Sequence, residues 1–92
     1  MYLIWVHVMR VPIIGTMKKT IGSPKYRNLI RWLQQSREDQ GLSMRALAER
    51  LAVPHSFVQK VEMMERKLDV LEYVVYCEAL GLEPAEGLQL LR

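Results

Sequence analysis

Four residues of the segment "PHSFVQKVE" have types and spacing suited to hydrogen-bond recognition: His55, Ser56, Gln59 and Lys60. In a helix these positions share one side. All four can donate hydrogen bonds and none is acidic, whereas a face meant only for water would more often carry glutamate as well. Such a face suits an acceptor-rich, negatively charged surface. In the major groove of duplex DNA, lysine matches the guanine acceptors and glutamine matches adenine. The first turn of the same helix would present free backbone N–H groups and the positive end of the helix dipole, which suits phosphate.

Other chemistries are poorly supplied. No serine, cysteine or pair of carboxylates forms a nucleophile or acid–base set, so no enzyme is expected. His55 has neither a carboxylate nor a second histidine at ligand spacing, and His7 stands apart in the opening segment, so no metal or other cofactor is expected. The single cysteine, Cys77, excludes an internal disulfide. It suits a reducing cytoplasm and reads as inert core. The six methionines read as gap fillers or as a trace of an earlier translation start, not as a sensor.

The 92 residues suffice for one small domain, and half of them are apolar, as in a folded chain. The net charge of +3 conceals an uneven distribution. Residues 17–60 hold nine basic side chains against three acidic ones, and residues 61–92 hold three against seven. A basic front and an acidic back fit a polyanion on one side only.

The elements that must position the four residues are helical. Ser23 is a fitting N-cap with Pro24 at the first helical position, and Tyr26, Leu29, Ile30 and Leu33 recur at helical spacing until Gly41. Ser43 caps a second helix with Leu47, Ala48 and Leu51 inside. The break Ala52–Val53–Pro54 leads to a third, with Phe57, Val58 and Val61 inside. Asp69 and Glu72 form a capping box for a fourth, which carries Tyr73, Val74, Cys77 and Leu80 and ends at Gly81. Pro84 opens a fifth whose apolar positions are Leu88 and Leu91. The turn between the second and third is too short for antiparallel packing, which forces the steep crossing of a helix-turn-helix. Trp32 reads either as core or as a surface for a partner.

The opening "MYLIWVHVMRVPIIGT" is different. It is β-branched and aromatic, shorter than the roughly 20 residues of a membrane span, and lacks the flanks of a secretory signal. Residues 1–16, with Trp5 and His7, read either as a β-arm that pairs with its own copy across a dimer axis or as sequence upstream of a start at Met17. A basic linker, 17–24, separates them from a DNA-binding domain over 25–92.

From Tyr26 to Leu91 the chain resembles the Cro and phage-repressor family of helix-turn-helix proteins, also called the XRE family. "GLSMRALAERLAV" matches the family's Gly-Leu-Ser/Thr opening, its Leu-Ala-Glu-Arg-Leu helix and its turn valine, and "RKLDVLEYVVYCEALGLEP" its next helix. The resemblance implies an all-α, five-helix, lambda-repressor-like fold. It places base contacts on His55, Ser56, Gln59 and Lys60, and backbone-positioning contacts on Ser43 to Arg45 and on Arg66 and Lys67. It also implies a structural ion pair between Arg37 and Glu62. Three positions depart from the family pattern. Met44 replaces a phosphate-gripping glutamine. Ala52 replaces a turn glycine, which is tolerable if the residue there has a negative φ. Met64 replaces a loop glycine, which implies a different loop path.

The function implied is a cytoplasmic, homodimeric, sequence-specific regulator of transcription, a repressor, reading a double-stranded operator with the third helix. The fifth helix and the arm are the candidate dimer surfaces, with Leu71, Val75 and Leu88 as apolar residues left outside the helix packing. The alternative is an antitoxin-like member of a toxin–antitoxin pair that binds a toxin-like protein and represses its own operon.

Overall fold

The computed structural model describes residues 23–92. The apolar arm, Trp5, His7 and all but the last two residues of the basic linker lie outside the described residues. Those described form helices and connecting turns, with no strand among them: α1 (Pro24–Asp39), α2 (Met44–Leu51), α3 (His55–Glu62), α4 (Val70–Leu80) and α5 (Pro84–Leu88), followed by a 3-10 turn at Gln89–Leu91.

Each helix starts where a cap permits it. Ser23 accepts the Lys25 N–H at 3.2 Å and Ser43 accepts the Ala46 N–H at 3.0 Å, each satisfying one donor that the helix cannot. Asp69 and Glu72 form a reciprocal capping box: the Glu72 N–H reaches Asp69 Oδ1 at 2.7 Å, and the Asp69 N–H reaches Glu72 Oε1 at 3.0 Å. Pro54 precedes α3, which no side chain caps.

Four helices end in the same way. The chain turns through a left-handed residue, and the next N–H reaches back across the last turn to a helix carbonyl. At α1 the left-handed residue is Gly41, with Leu42 donating to Arg37 O at 3.1 Å. At α4 it is Gly81, with Leu82 donating to Cys77 O at 2.8 Å. At α2 and α3 the same closure is made without glycine, by Ala52 (φ 56°) and Met64 (φ 66°). Ala52 thus does not have the negative φ that would make its replacement of glycine strain-free, and Met64 takes a left-handed φ itself. The closing bonds, Val53 to Ala48 O at 3.0 Å and Glu65 to Lys60 O at 2.8 Å, require that geometry whatever the side chain.

A left-handed conformation costs a residue with a Cβ about 1–2 kcal/mol, offset in part by the greater freedom glycine loses on folding. Ala52→Gly and Met64→Gly are therefore each expected to stabilise the fold by up to about 1 kcal/mol. A lower midpoint for Ala52→Gly in a denaturant titration would refute the strain.

The core is drawn from four helices: Leu29, Ile30 and Leu33 of α1, Leu47 and Ala48 of α2, Val58 and Val61 of α3, and Tyr73, Tyr76, Cys77 and Leu80 of α4. Each large aliphatic or aromatic side chain removed from water contributes about 1.5–3 kcal/mol, so these residues hold the bundle together. The carbonyls at the end of α4 are met by side chains from two earlier helical regions. Gln40 Nε2 donates to Leu80 O at 2.7 Å, and Arg50 Nη1 donates to Ala79 O at 2.9 Å.

The fifth helix starts at Pro84 and leaves Leu88 exposed, as expected of a residue outside the helix packing, but Leu91 falls beyond it in the 3-10 turn and its buried residue is Gly87. The helix lasts five residues before the chain tightens to a 3-10 turn, so helical spacing does not carry through it. Gly87 lies against the Trp32 ring, the Leu29 side chain and the Tyr73 hydroxyl, which donates to Pro84 O at 2.6 Å. A Cβ at residue 87 would overlap the ring and the hydroxyl. Gly87→Ala should lower stability by about 1–3 kcal/mol through overpacking, and an unchanged melting temperature would show that the site can relax. Trp32 is half-buried and packs against the core through this contact.

Candidate nucleic-acid interface

Helices α2 and α3 are eight residues each, separated by Ala52, Val53 and Pro54. The left-handed Ala52 reverses the chain sharply and the half-buried Val53 anchors the turn against the core. The inner face of α3 is fixed by Val58 and Val61, both fully buried. The opposite face carries His55, Ser56, Gln59 and Lys60, all exposed. The first turn of α3 holds no acidic residue and no side-chain cap, and although the Phe57 N–H donates to Pro54 O at 3.0 Å, the His55 and Ser56 N–H groups and the positive end of the dipole are open to an anion.

Ser43 and Arg45 stand exposed at the start of α2. The Ser43 oxygen accepts the Ala46 N–H, which leaves its hydroxyl proton to donate outward. Met44, between them, is half-buried and packs against the core, so it offers no polar group to a ligand.

Arg66 and Lys67 follow α3. Lys67 is exposed. Arg66 is held on two sides: its guanidinium lies 4.5 Å from the centre of the Phe57 ring, and its Nη1 and Nη2 each donate to the Glu72 carboxylate at 2.9 Å. Nη1 also reaches Lys67 O at 3.1 Å. Hydrogen bonds from Arg66, then from the Asp69 N–H, hold the Glu72 carboxyl below its usual range. Beside this loop the Tyr26 hydroxyl accepts the Leu68 N–H at 3.2 Å, tying the loop to the start of α1. The guanidinium is thus fixed in direction, and its Nε–H is used by none of these contacts.

The orientation of α3 is fixed from α1. Arg37 Nε donates to Glu62 Oε2 at 2.6 Å and Nη2 to Glu62 Oε1 at 3.0 Å, while Nη1 donates to Leu42 O at 2.7 Å. The two side chains are only 8% and 4% exposed. The hydrogen bonds to Glu62 raise the Arg37 pKa above its already high value, so the guanidinium stays charged. The pair joins the last residue of α3 to the last turn of α1, and makes the arrangement rigid.

The predicted side chains thus stand in three places: the outer face of α3, the start of α2, and the loop after α3. Sequence reasoning missed the Phe57–Glu72 cradle of Arg66 and the roles of Gln40 and Arg50 at the end of α4. Only the capping-box pattern at Asp69 hinted at Glu72. Nothing in the spacing announces an ion pair between residues six apart, one in the loop and one in the first turn of α4.

A helix-turn-helix family model matches residues 33–87 of the chain. Among solved structures, the chain is similar to an XRE-family like protein from Pseudomonas syringae pv. tomato str. DC3000, with 38% identity over 80% of this chain and 90% of that one, and a TM-score of 0.71. No curated protein matches it significantly.

Proposed function

The chain belongs to the XRE family of helix-turn-helix DNA-binding transcription regulators, and from that premise we propose that it is a homodimeric, sequence-specific repressor that reads its operator with α3. The observation that carries this reading is the outer face of α3. Four exposed hydrogen-bond donors without an acidic neighbour stand on a helix whose opposite side is fully buried.

His55 and Ser56 enter the groove first, with Gln59 and Lys60 one turn further along. Gln59 pairs with an adenine edge and Lys60 with guanine acceptors. Ser43 and Arg45 contact the phosphates at one edge of the groove, and Arg66 and Lys67 those at the other. Arg37 and Glu62 take no part in contact and hold the angle of α3. One helix of eight residues reads few base pairs, so two copies on half-sites about one helical turn apart supply the specificity. The reaction is binding alone, and the protein works where the DNA is, in the cytoplasm.

The test is a salt series of binding to duplex taken from upstream of the gene, against random duplex. We expect about a thousandfold or greater preference for the upstream duplex. With three cations on phosphates in each copy, Arg45, Arg66 and Lys67, log affinity should fall with log salt with a slope of about −5 for the dimer. Equal, weak binding to both duplexes at every salt concentration would leave only a basic surface and sink the specific reading.

A further inference from the structure

Helix α4 is apolar nearly all round. Its inner face supplies Tyr73, Tyr76, Cys77 and Leu80 to the core, yet Val70, Leu71 and Val75 project outward with 82%, 73% and 42% of their surfaces exposed. A helix apolar on every side is ordinarily covered on every side. Beside these residues lies an open hollow between α4 and the turn of the helix-turn-helix, walled by Leu51, Val53, Phe57, Leu71 and Val75. One face thus carries both a projecting apolar ridge and an apolar hollow.

We propose that this face is where a second copy of the chain docks, the ridge of each copy seated in the hollow of the other. Three observations favour a second copy over an unrelated partner. A twofold contact needs a patch complementary to itself, and ridge and hollow on one face meet that requirement. The charged residue lining the hollow, Glu72, is neutralised by Arg66 at 2.9 Å, so a copy docking there meets no unbalanced charge of its own sign. Phe57 belongs to α3 itself, so a contact here sets two reading helices side by side at a fixed separation.

Of the other exposed apolar residues, Met63 stands alone just after α3, and Leu88, Leu90 and Leu91 lie on α5 and the turn that follows it, which pack on α1. A dimer built on them would leave the α4 ridge in water. The proposal rests on the two-half-site reading above and replaces the fifth helix with α4 as the dimer surface.

Sedimentation of the full chain without DNA tests it. The wild type should be a dimer, the double variant Leu71→Asp, Val75→Asp a monomer with an unchanged melting transition, and Leu88→Asp still a dimer. On DNA, the double variant should protect only one half-site. A monomeric Leu88→Asp beside a dimeric double variant would overturn the proposal. So would a wild type that stays monomeric both free and on DNA, which would leave the ridge to a different protein or to the chain's own opening segment. If the dimer dissociates as expected but the wild type binds no operator, the surface stands and the DNA-reading function falls.

Discussion

Arg37→Ala should bring the domain close to unfolding. Replacing one partner leaves the other charge buried and unmatched, at a cost of about 3–5 kcal/mol, set against a total stability of about 5–15 kcal/mol for a small domain. Glu62 is 4% exposed in its side chain and Arg37 8%, so water cannot easily replace the lost partner. Arg37 also holds the Leu42 carbonyl at 2.7 Å, so its loss strands a backbone acceptor as well. Denaturant titration of Arg37→Ala, Glu62→Gln and the pair Arg37→Met, Glu62→Leu separates charge from packing. The double replacement should lose less than either single variant, because no charge is then left uncompensated. A single variant as stable as the wild type would mean that the pair only decorates the junction.

Lys60→Ala and Gln59→Ala should each lower operator affinity by about 10- to 100-fold per half-site. That range corresponds to about 1–3 kcal/mol for one base-edge contact. Because two copies bind, the loss applies twice on a palindromic operator. The discriminating feature is sequence dependence. Gln59→Ala should leave affinity for random duplex almost unchanged and relax the preference at one base pair. Arg45→Ala should instead weaken both duplexes alike and make the salt slope shallower by nearly two units for the dimer. Titrations against operator and single-base variants measure both effects. If Gln59→Ala and Lys60→Ala together cost nothing on the operator, α3 is not the reader.

Most of the fold is legible in local chemistry. Ser23, Ser43 and the Asp69–Glu72 pair start helices because their side chains satisfy backbone donors that helices leave open. Gly41 and Gly81 end helices because they turn left-handed at little cost. What was not legible depends on tertiary demands that override such preferences. Ala52 and Met64 occupy left-handed positions although neither favours them, since the buried α2–turn–α3 packing fixes the path. Gly87 looks like a helix breaker in sequence, but it is the residue that lets α5 approach Trp32 and Tyr73. Tyr76, which the apolar spacing passed over, is one of the most buried side chains of α4. That His55, Ser56, Gln59 and Lys60 share an exposed face was legible because Val58 and Val61 set the inner face of α3 by helical spacing. The cradle of Arg66 was not, because it joins an α3 ring, a loop cation and an α4 carboxylate that only the folded chain assembles.

The Arg37–Glu62 pair also bears on the order of folding. Its partners are 25 residues apart, whereas α2 and α3 lie next to each other in sequence and pack through Leu47, Ala48, Val58 and Val61. Nearby contacts close small loops and form early; a distant, largely buried charge pair needs α1 and α3 already in place. Removing the pair should therefore speed unfolding and leave the refolding rate nearly unchanged. In a chevron plot the Arg37→Met, Glu62→Leu variant should move the unfolding limb, while Val58→Ala moves the folding limb as well. The ion pair then acts as a latch on the finished domain, setting how long it stays folded more than how fast it folds.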